Sequence, residues 1–210
     1  MSMIVKVLPV GMLQTNCYIL IDEATNEAVI VDPGDEGERI INMISDYGWK
    51  VDRILITHGH YDHIMDTVKV RDALGAKIII HADEEEYLYN PDLSLMSVLM
   101  KDSESFTADQ VVREGDEIQV GESTVKVIKV PGHTRASICY YNEKDKLLIA
   151  GDTLFRDSIG RTDLYDGSPG DLANNIKEKL LILPDEVIVY AGHGPSTSIG
   201  YEKTNNPFLR

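Results

Sequence analysis

The stretch Thr57-His58-Gly59-His60-Tyr61-Asp62-His63 restricts what this chain can become more than any other. It follows the apolar run Ile54-Leu55-Ile56 and places four side chains with metal-binding heads inside six positions. An extended strand end holds residues i and i+2 on one side, so His58 and His60 can share one ion. Asp62 and His63 come after the chain has begun to turn and can face a second site close by. Imidazole nitrogen and carboxylate oxygen suit zinc and similar ions, and a catalytic ion needs about three protein ligands with a position left open for water. Four ligands exceed one open site and fall short of two. Further donors must come from elsewhere in the chain.

The sequence holds six histidines in all. His133 stands in Val130-Pro131-Gly132-His133-Thr134 and His193 in Ala191-Gly192-His193-Gly194-Pro195. Each follows a glycine just beyond an apolar run, which is how a loop at the end of a buried strand presents a side chain into a cleft. Asp152 leaves the run Leu147-Leu148-Ile149-Ala150 behind Gly151 in the same way. Four strand ends thus deliver His58, His60, Asp62 and His63, then His133, Asp152 and His193. Any one Gly-His can be an ordinary loop histidine; the whole set together points to a metal centre. His81 ends the run Ile78-Ile79-Ile80 without such a motif and reads as a structural histidine.

The order HxHxDH, PGHT, GDT, GHGP resembles the metallo-β-lactamase superfamily, and within it the short, single-domain glyoxalase II-like thioester hydrolases. The likeness extends through Thr15-Asn16-Cys17-Tyr18-Ile19, Val31-Asp32-Pro33-Gly34, Gly160-Arg161-Thr162-Asp163 and Asn206-Pro207-Phe208-Leu209. It implies a four-layer αββα sandwich with two metals at one edge between the sheets. It also implies His58, His60 and His133 on a first ion, and Asp62, His63 and His193 on a second. Asp152 would bridge the two together with a water or hydroxide. Asp62 and Asp152 are then the carboxylates of the catalytic centre. The expected cofactor is two divalent ions, zinc first, with iron or manganese accepted by the same ligands.

The expected reaction is attack of the metal-bridging hydroxide on a small acyl thioester such as S-lactoylglutathione. A thiol of pKa about 8.5 can leave as thiolate without a strong general acid, and the sequence shows no obvious spare one. The chain ends 17 residues after His193, leaving no room for the C-terminal region with which longer glyoxalase II enzymes hold glutathione. Another thiol carrier therefore stays open. Arg156, Arg161 and Tyr61 are candidate substrate contacts, although either arginine can instead tie its loop to Asp157 or Asp163. Arg135 stands where the family usually has Gly or Pro after PGHT. Alternatives are a persulfide dioxygenase with a single iron, a lactonase, and a non-catalytic metal protein with a structural or sensing role. A β-lactamase fits less well, because those enzymes usually lack the bridging Asp152 and the first residues do not read as a secretion signal.

Acids outnumber bases 35 to 20, for a net charge of −15. That argues against nucleic acid, which needs a basic surface. No run approaches the ~20 apolar residues of a membrane helix. Two cysteines in apolar runs, Cys17 and Cys139, read as buried free thiols of a cytoplasmic protein. Residues 1–210 suit one domain.

Periodicity predicts strands over 3–10, 15–21, 27–32, 52–56, 77–80, 117–120, 124–130, 137–142, 146–150 and 187–190. Helices are expected over 35–48, 63–74, 82–89 and 168–183. Residues 91–112 carry the least pattern. Their apolar members Leu93, Leu95, Met96, Val98, Leu99 and Met100 suit either a lid or partner surface, or a loosely helical connection packed on the core.

Overall fold

The computed structural model describes residues 2–99 and 105–210. Two six-stranded sheets face each other. The first runs in spatial order β1 (Met3–Val10), β2 (Thr15–Asp22), β3 (Glu27–Val31), β4 (Lys50–Leu55), β5 (Lys77–His81) and β6 (Gln110–Val112). The second holds β7 (Glu117–Val120), β8 (Ser123–Lys129), β9 (Ile138–Asn142), β10 (Leu147–Gly151), β13 (Ile188–Ala191) and β14 (Thr197–Ser198), ordered β14-β13-β10-β9-β8-β7. A small hairpin, β11 (Leu154–Phe155) with β12 (Ser158–Ile159), lies between β10 and β13 in sequence. Strands β3 to β6 are parallel, as are β10 and β13.

Alternation along the strands builds the layers, since successive side chains point to opposite faces. In β2, Cys17, Ile19 and Ile21 turn outward to meet Ile40 and Ile44 of helix α1 (Gly37–Tyr47) and Val70 of α3 (Thr67–Leu74). Tyr18 and Leu20 turn inward, against Val125, Val127, Ile138, Tyr140, Leu147 and Ile149 of the second sheet. In β10 the roles repeat. Leu147 and Ile149 face the inner core, while Leu148 and Ala150 meet Leu172 of α5 (Pro169–Asn175), with Ile176 and Leu180 beyond it. The result is the expected αββα sandwich, held by one core between the sheets and one under each helical layer. Cys17 and Cys139 fall in opposite outer cores and are both free. Among the described residues no helix is long and apolar enough to cross a membrane.

Several elements differ from the sequence expectation. The helix predicted over 63–74 is two pieces, α2 (Tyr61–Ile64) and α3, because the Asp66 N–H leaves the ladder to donate to the Pro33 carbonyl at 3.2 Å, while the Asp66 carboxylate accepts the Gly37 N–H at 2.5 Å. The acidic helix over 82–89 is a single 3₁₀ turn, Glu85–Leu88. The 168–183 helix keeps α geometry to Asn175 and widens to a π turn over Ile176–Leu180. A further helix, α6 (Ile199–Asn205), comes after β14, its N-terminus capped by the Ser198 hydroxyl accepting from the Tyr201 N–H.

The segment 91–112 contributes α4 (Met96–Leu99) and the edge strand β6. Leu93 and Met96 are buried and Phe106 packs on the outer core, as a packed connection would require; Val98 is exposed. The Leu99 side chain and Met100 lie outside the described residues.

Candidate metal centre

The loops that leave β4, β8, β10 and β13 meet at one rim of the sandwich. Residues 56–60 run on from β4 with a bend at Thr57, and His60, in extended conformation, stands at the N-terminal boundary of α2. The first turn of that helix swings Asp62 and His63 away from the His58–His60 side. Strand β8 leads to His133, β10 to Asp152 and β13 to His193.

Their side-chain heads converge. His133 Nε2 lies 3.0 Å from His60 Nδ1 and 3.2 Å from His58 Nε2. His63 Nε2 is 3.5 Å from Asp62 Oδ2, and His193 Nε2 is 3.2 Å from the same oxygen. Asp152 stands between the two sets, with Oδ1 at 3.3 Å from His63 Nε2 and Oδ2 at 3.7 Å from His133 Nε2 and 3.6 Å from His193 Nε2. Donor atoms of His58, His60 and His133, of Asp62, His63 and His193, and of His58, His63 and Asp152 each form a group able to hold an ion.

The rest of the fold fixes which nitrogen each ring presents. His63 Nδ1 donates to Asp32 Oδ2 at 2.8 Å, His133 Nδ1 to the Arg161 carbonyl at 2.8 Å, and His193 Nδ1 to the Leu13 carbonyl at 3.1 Å. His58 Nδ1 donates to Thr57 Oγ1 at 3.1 Å, and that hydroxyl donates to Asp32 Oδ2 at 2.6 Å. In these four rings Nε2 is left to face the cluster; His60 offers Nδ1. A second partner of this kind orients a metal-binding ring and raises its basicity.

The two sets differ in charge. Burial, together with the neighbouring imidazoles, holds His58 well below the ordinary histidine range and His60 down to about 3. Burial likewise lowers His133. Burial opposes charge on His193 and Asp62 too, but hydrogen bonding between them and to Asp152 raises His193 to about 10, and His63 with His193 lowers Asp62 to about 2. The first set therefore offers neutral lone pairs, and the second pairs carboxylates with imidazolium when no ion is present. His63 Nε2 and Asp152 Oδ1 are buried without a hydrogen-bond partner among the described residues. Unpartnered buried polar atoms are costly, and a divalent ion would satisfy both. The donors fit such ions: imidazole and carboxylate only, in two sets of three joined by one acid.

Glycines let the loops close this tightly. A Cβ on Gly192 would lie 2.1 Å from Asp152 Oδ1, and one on Gly160 would lie 1.9 Å from the Asp152 carbonyl oxygen.

The Thr15-Asn16-Cys17-Tyr18 stretch holds the His193 loop. Asn16 donates to the carbonyls of Ala191 and Gly194 at 3.0 Å each, and the Tyr18 hydroxyl donates to the Ala191 carbonyl at 2.6 Å. Thr15 Oγ1 donates to Asp62 Oδ2 at 2.9 Å.

Asp32 and Thr57 are site residues that sequence reasoning does not single out, although both stand within the family-like motifs. The usable signal is an acid directly after β3; it holds φ at 52°, a conformation that Asp tolerates better than most residues.

The candidate substrate contacts separate. The Arg161 guanidinium is bound bidentately by Asp163, with Nε and an Nη at 2.8 and 2.9 Å. It is the Arg161 carbonyl that serves the site. Arg156 lies over the Tyr201 ring at 5.2 Å, with Asp157 at 3.8 Å. Tyr61 lines a cavity of about 300 Å³ beside Asp62, with Val10, Met12, Leu13 and Met65. His81 is buried at the end of β5, where its Nδ1 accepts the Asp83 N–H at 3.1 Å.

Residues 10–193 match the metallo-β-lactamase superfamily model. An uncharacterised protein of Mycobacterium leprae is 41% identical, with 99% of each chain covered. Hydroxyacylglutathione hydrolase GloC of Haemophilus influenzae is 34% identical over 98% of this chain and 97% of its own.

Among solved structures, BLEG-1 B3 metallo-β-lactamase superposes with a TM-score of 0.93 at 38% identity, covering 98% of this chain and 99% of that one. ETHE1 from Myxococcus xanthus gives 0.81 at 30%, covering 97% and 83%. A protein solved in a di-iron-bound form gives 0.86 at 31%, covering 97% and 100%. With its sandwich, its convergent His and Asp side chains and these full-length relatives, the chain belongs to the metallo-β-lactamase superfamily.

Proposed function

We propose that this protein is a dinuclear metal-dependent hydrolase of small acyl thioesters, of the glyoxalase II-like kind. The observation that carries the proposal is the meeting of two three-donor sets at Asp152. The full-length likeness to GloC supports the thioester over other acyl substrates.

When bound, two divalent ions supply a nucleophile from water at neutral pH and Lewis acidity for a carbonyl oxygen. The chain's own residues do the rest. Asp152 and Asp62 contribute two negative charges against the four of two divalent ions, leaving the centre electropositive toward an oxyanion. Asp32, Thr57, Leu13 and Arg161 hold the imidazoles in one tautomer and orientation. The slot lined by Val10, Met12, Leu13, Tyr61 and Met65 gives an apolar arm of the substrate a place beside Asp62.

Among the described residues the lining contains no histidine, lysine or arginine, and its ionisable members are Asp35, Asp62 and Tyr61. A leaving group that departs as an anion suits such a site, and a thiolate does so far more readily than an amine. The acidic surface, with a net charge of −15, supports a small-molecule substrate over nucleic acid.

Purified protein of known metal content tests this with S-lactoylglutathione and with the lactoyl ester of a smaller thiol. Free thiol should appear, and Asp152→Ala should abolish it while leaving the fold. Turnover of the small ester alone would keep the reaction class and change the carrier. A neighbour that binds iron favours one comparison: iron-loaded protein with a persulfide should take up no oxygen if the hydrolase reading is right.

A further inference from the structure

Glu84 is fully buried in the turn between β5 and the 3₁₀ turn Glu85–Leu88. Its Oε1 accepts the Gly59 N–H at 3.2 Å, and its Oε2 accepts the Ala136 N–H at 3.1 Å. Gly59 separates His58 from His60. Ala136 lies three residues after His133, in a loop closed by Gly132 N–H to the Thr134 carbonyl at 2.9 Å and Val130 N–H to the Ser137 carbonyl at 2.8 Å. One carboxylate therefore joins the two loops that deliver all three imidazoles of the first donor set. The Tyr87 side chain closes on the same place: a Cβ on Gly59 would lie 2.1 Å from the Tyr87 Cβ and 2.8 Å from its Cγ.

Burying a carboxylate is costly, and burial pushes Glu84 up to about 7 despite its hydrogen bonds to Thr134, Gly59 and Ala136. An apolar residue would fill the space at lower cost. A carboxylate is what the geometry requires, because both of its oxygens accept and each meets a backbone donor from a different loop. An amide has one acceptor oxygen and would turn an NH₂ toward one of the two N–H groups.

We propose that Glu84 is a positioning residue that sets the spacing of His58, His60 and His133, and so the affinity of the first ion, without touching ion or substrate. The inference rests on the metal-centre reading above. Glu84 bonds to neither loop of the second set, whose His63 is held by Asp32 and whose His193 is held by the Leu13 carbonyl, so the two ions should respond differently to loss of Glu84.

The test is chelator competition and the visible spectrum of cobalt-loaded protein, for wild type, Glu84→Gln and Glu84→Ala. Leu180→Ala, in the core under α5, calibrates what general destabilisation does. Loss of a residue that orients metal ligands lowers affinity by about 10–100-fold. That loss is expected at one ion only, with a changed spectrum for that ion, and larger in the alanine variant. Leu180→Ala should lower Tm and leave both affinities alone.

If Glu84→Gln binds both ions with wild-type affinity and spectrum, or weakens both equally, the proposal is wrong. Should Glu84→Ala fail to fold, Glu84→Gln alone decides the matter. Wild-type protein that holds fewer than two ions would overturn the metal-centre reading, and this inference with it.

Discussion

Asp32 Oδ2 lies 2.8 Å from His63 Nδ1, and the same oxygen accepts a hydrogen bond from the Thr57 hydroxyl at 2.6 Å. Because Thr57 Oγ1 also faces His58 Nδ1 at 3.1 Å, one buried carboxylate orients a ring from each donor set. The second Asp32 oxygen accepts the Thr57 N–H at 2.8 Å, which fixes the loop itself.

Asp32→Asn should therefore weaken metal binding although the residue touches no ion. The amide keeps the shape, loses the charge and points an NH₂ at one of its former donors. A fall in metal affinity of about 10–100-fold is expected, read by chelator competition. Wild-type affinity in this variant would mean that the His63–Thr57 link has no bearing on the centre.

Gly192→Ala should be more severe. The added methyl would lie 2.1 Å from Asp152 Oδ1 and 2.9 Å from His63 Cε1, so one of these side chains must move. Metal stoichiometry should fall below two and activity should drop by at least two orders of magnitude, while circular dichroism keeps the wild-type spectrum. Full activity in this variant would show that Asp152 need not stand where the structure places it.

Metal loading should release protons. In the metal-free protein His193 is raised to about 10 and His63 is raised too, so both carry protons at pH 7.5 that ions must displace. Calorimetry in buffers of different ionisation enthalpy counts them, and at least one proton per chain is expected. The same shift predicts a stability trend. A histidine raised from 6.5 to about 10 stabilises the metal-free fold fully below pH 6.5 and loses that effect as pH rises toward 10. The Tm of the metal-free protein should thus decline across that window, and His193→Gln should flatten the decline.

Much of the fold and of the metal centre is legible in the residues themselves. Six-residue spacing around His58–His63 announces two donor sets, because strand geometry pairs i with i+2 and the turn beyond it aims Asp62 and His63 elsewhere. The apolar runs of β2 and β10 are equally readable as strands; which side chains face inward is not, because both faces of each strand are buried. The break between α2 and α3 is not, since it depends on the Asp66 N–H bonding to the Pro33 carbonyl, a tertiary contact that no local pattern carries. The strand β6 is hidden for a similar reason: Gln110–Val112 is three residues long and is defined by pairing with β5. Glu84 looks in sequence like one acid in a charged run, and only the folded chain puts it under two loops. Arg161 stands out for its side chain, yet its carbonyl is the part that meets His133.

Leu13→Trp should narrow the slot beside Asp62, because Leu13 is a half-exposed lining residue. The KM for the preferred thioester should rise severalfold with metal content unchanged. An unaltered KM would place the substrate arm elsewhere.

The most direct test of the hydrolase reading is thiol release from an acyl thioester as metal-free protein is titrated with zinc. Turnover should rise with metal and level off at two ions per chain, and Asp152→Asn should stay flat throughout. A protein that binds two ions and releases no thiol from any acyl thioester would contradict that reading.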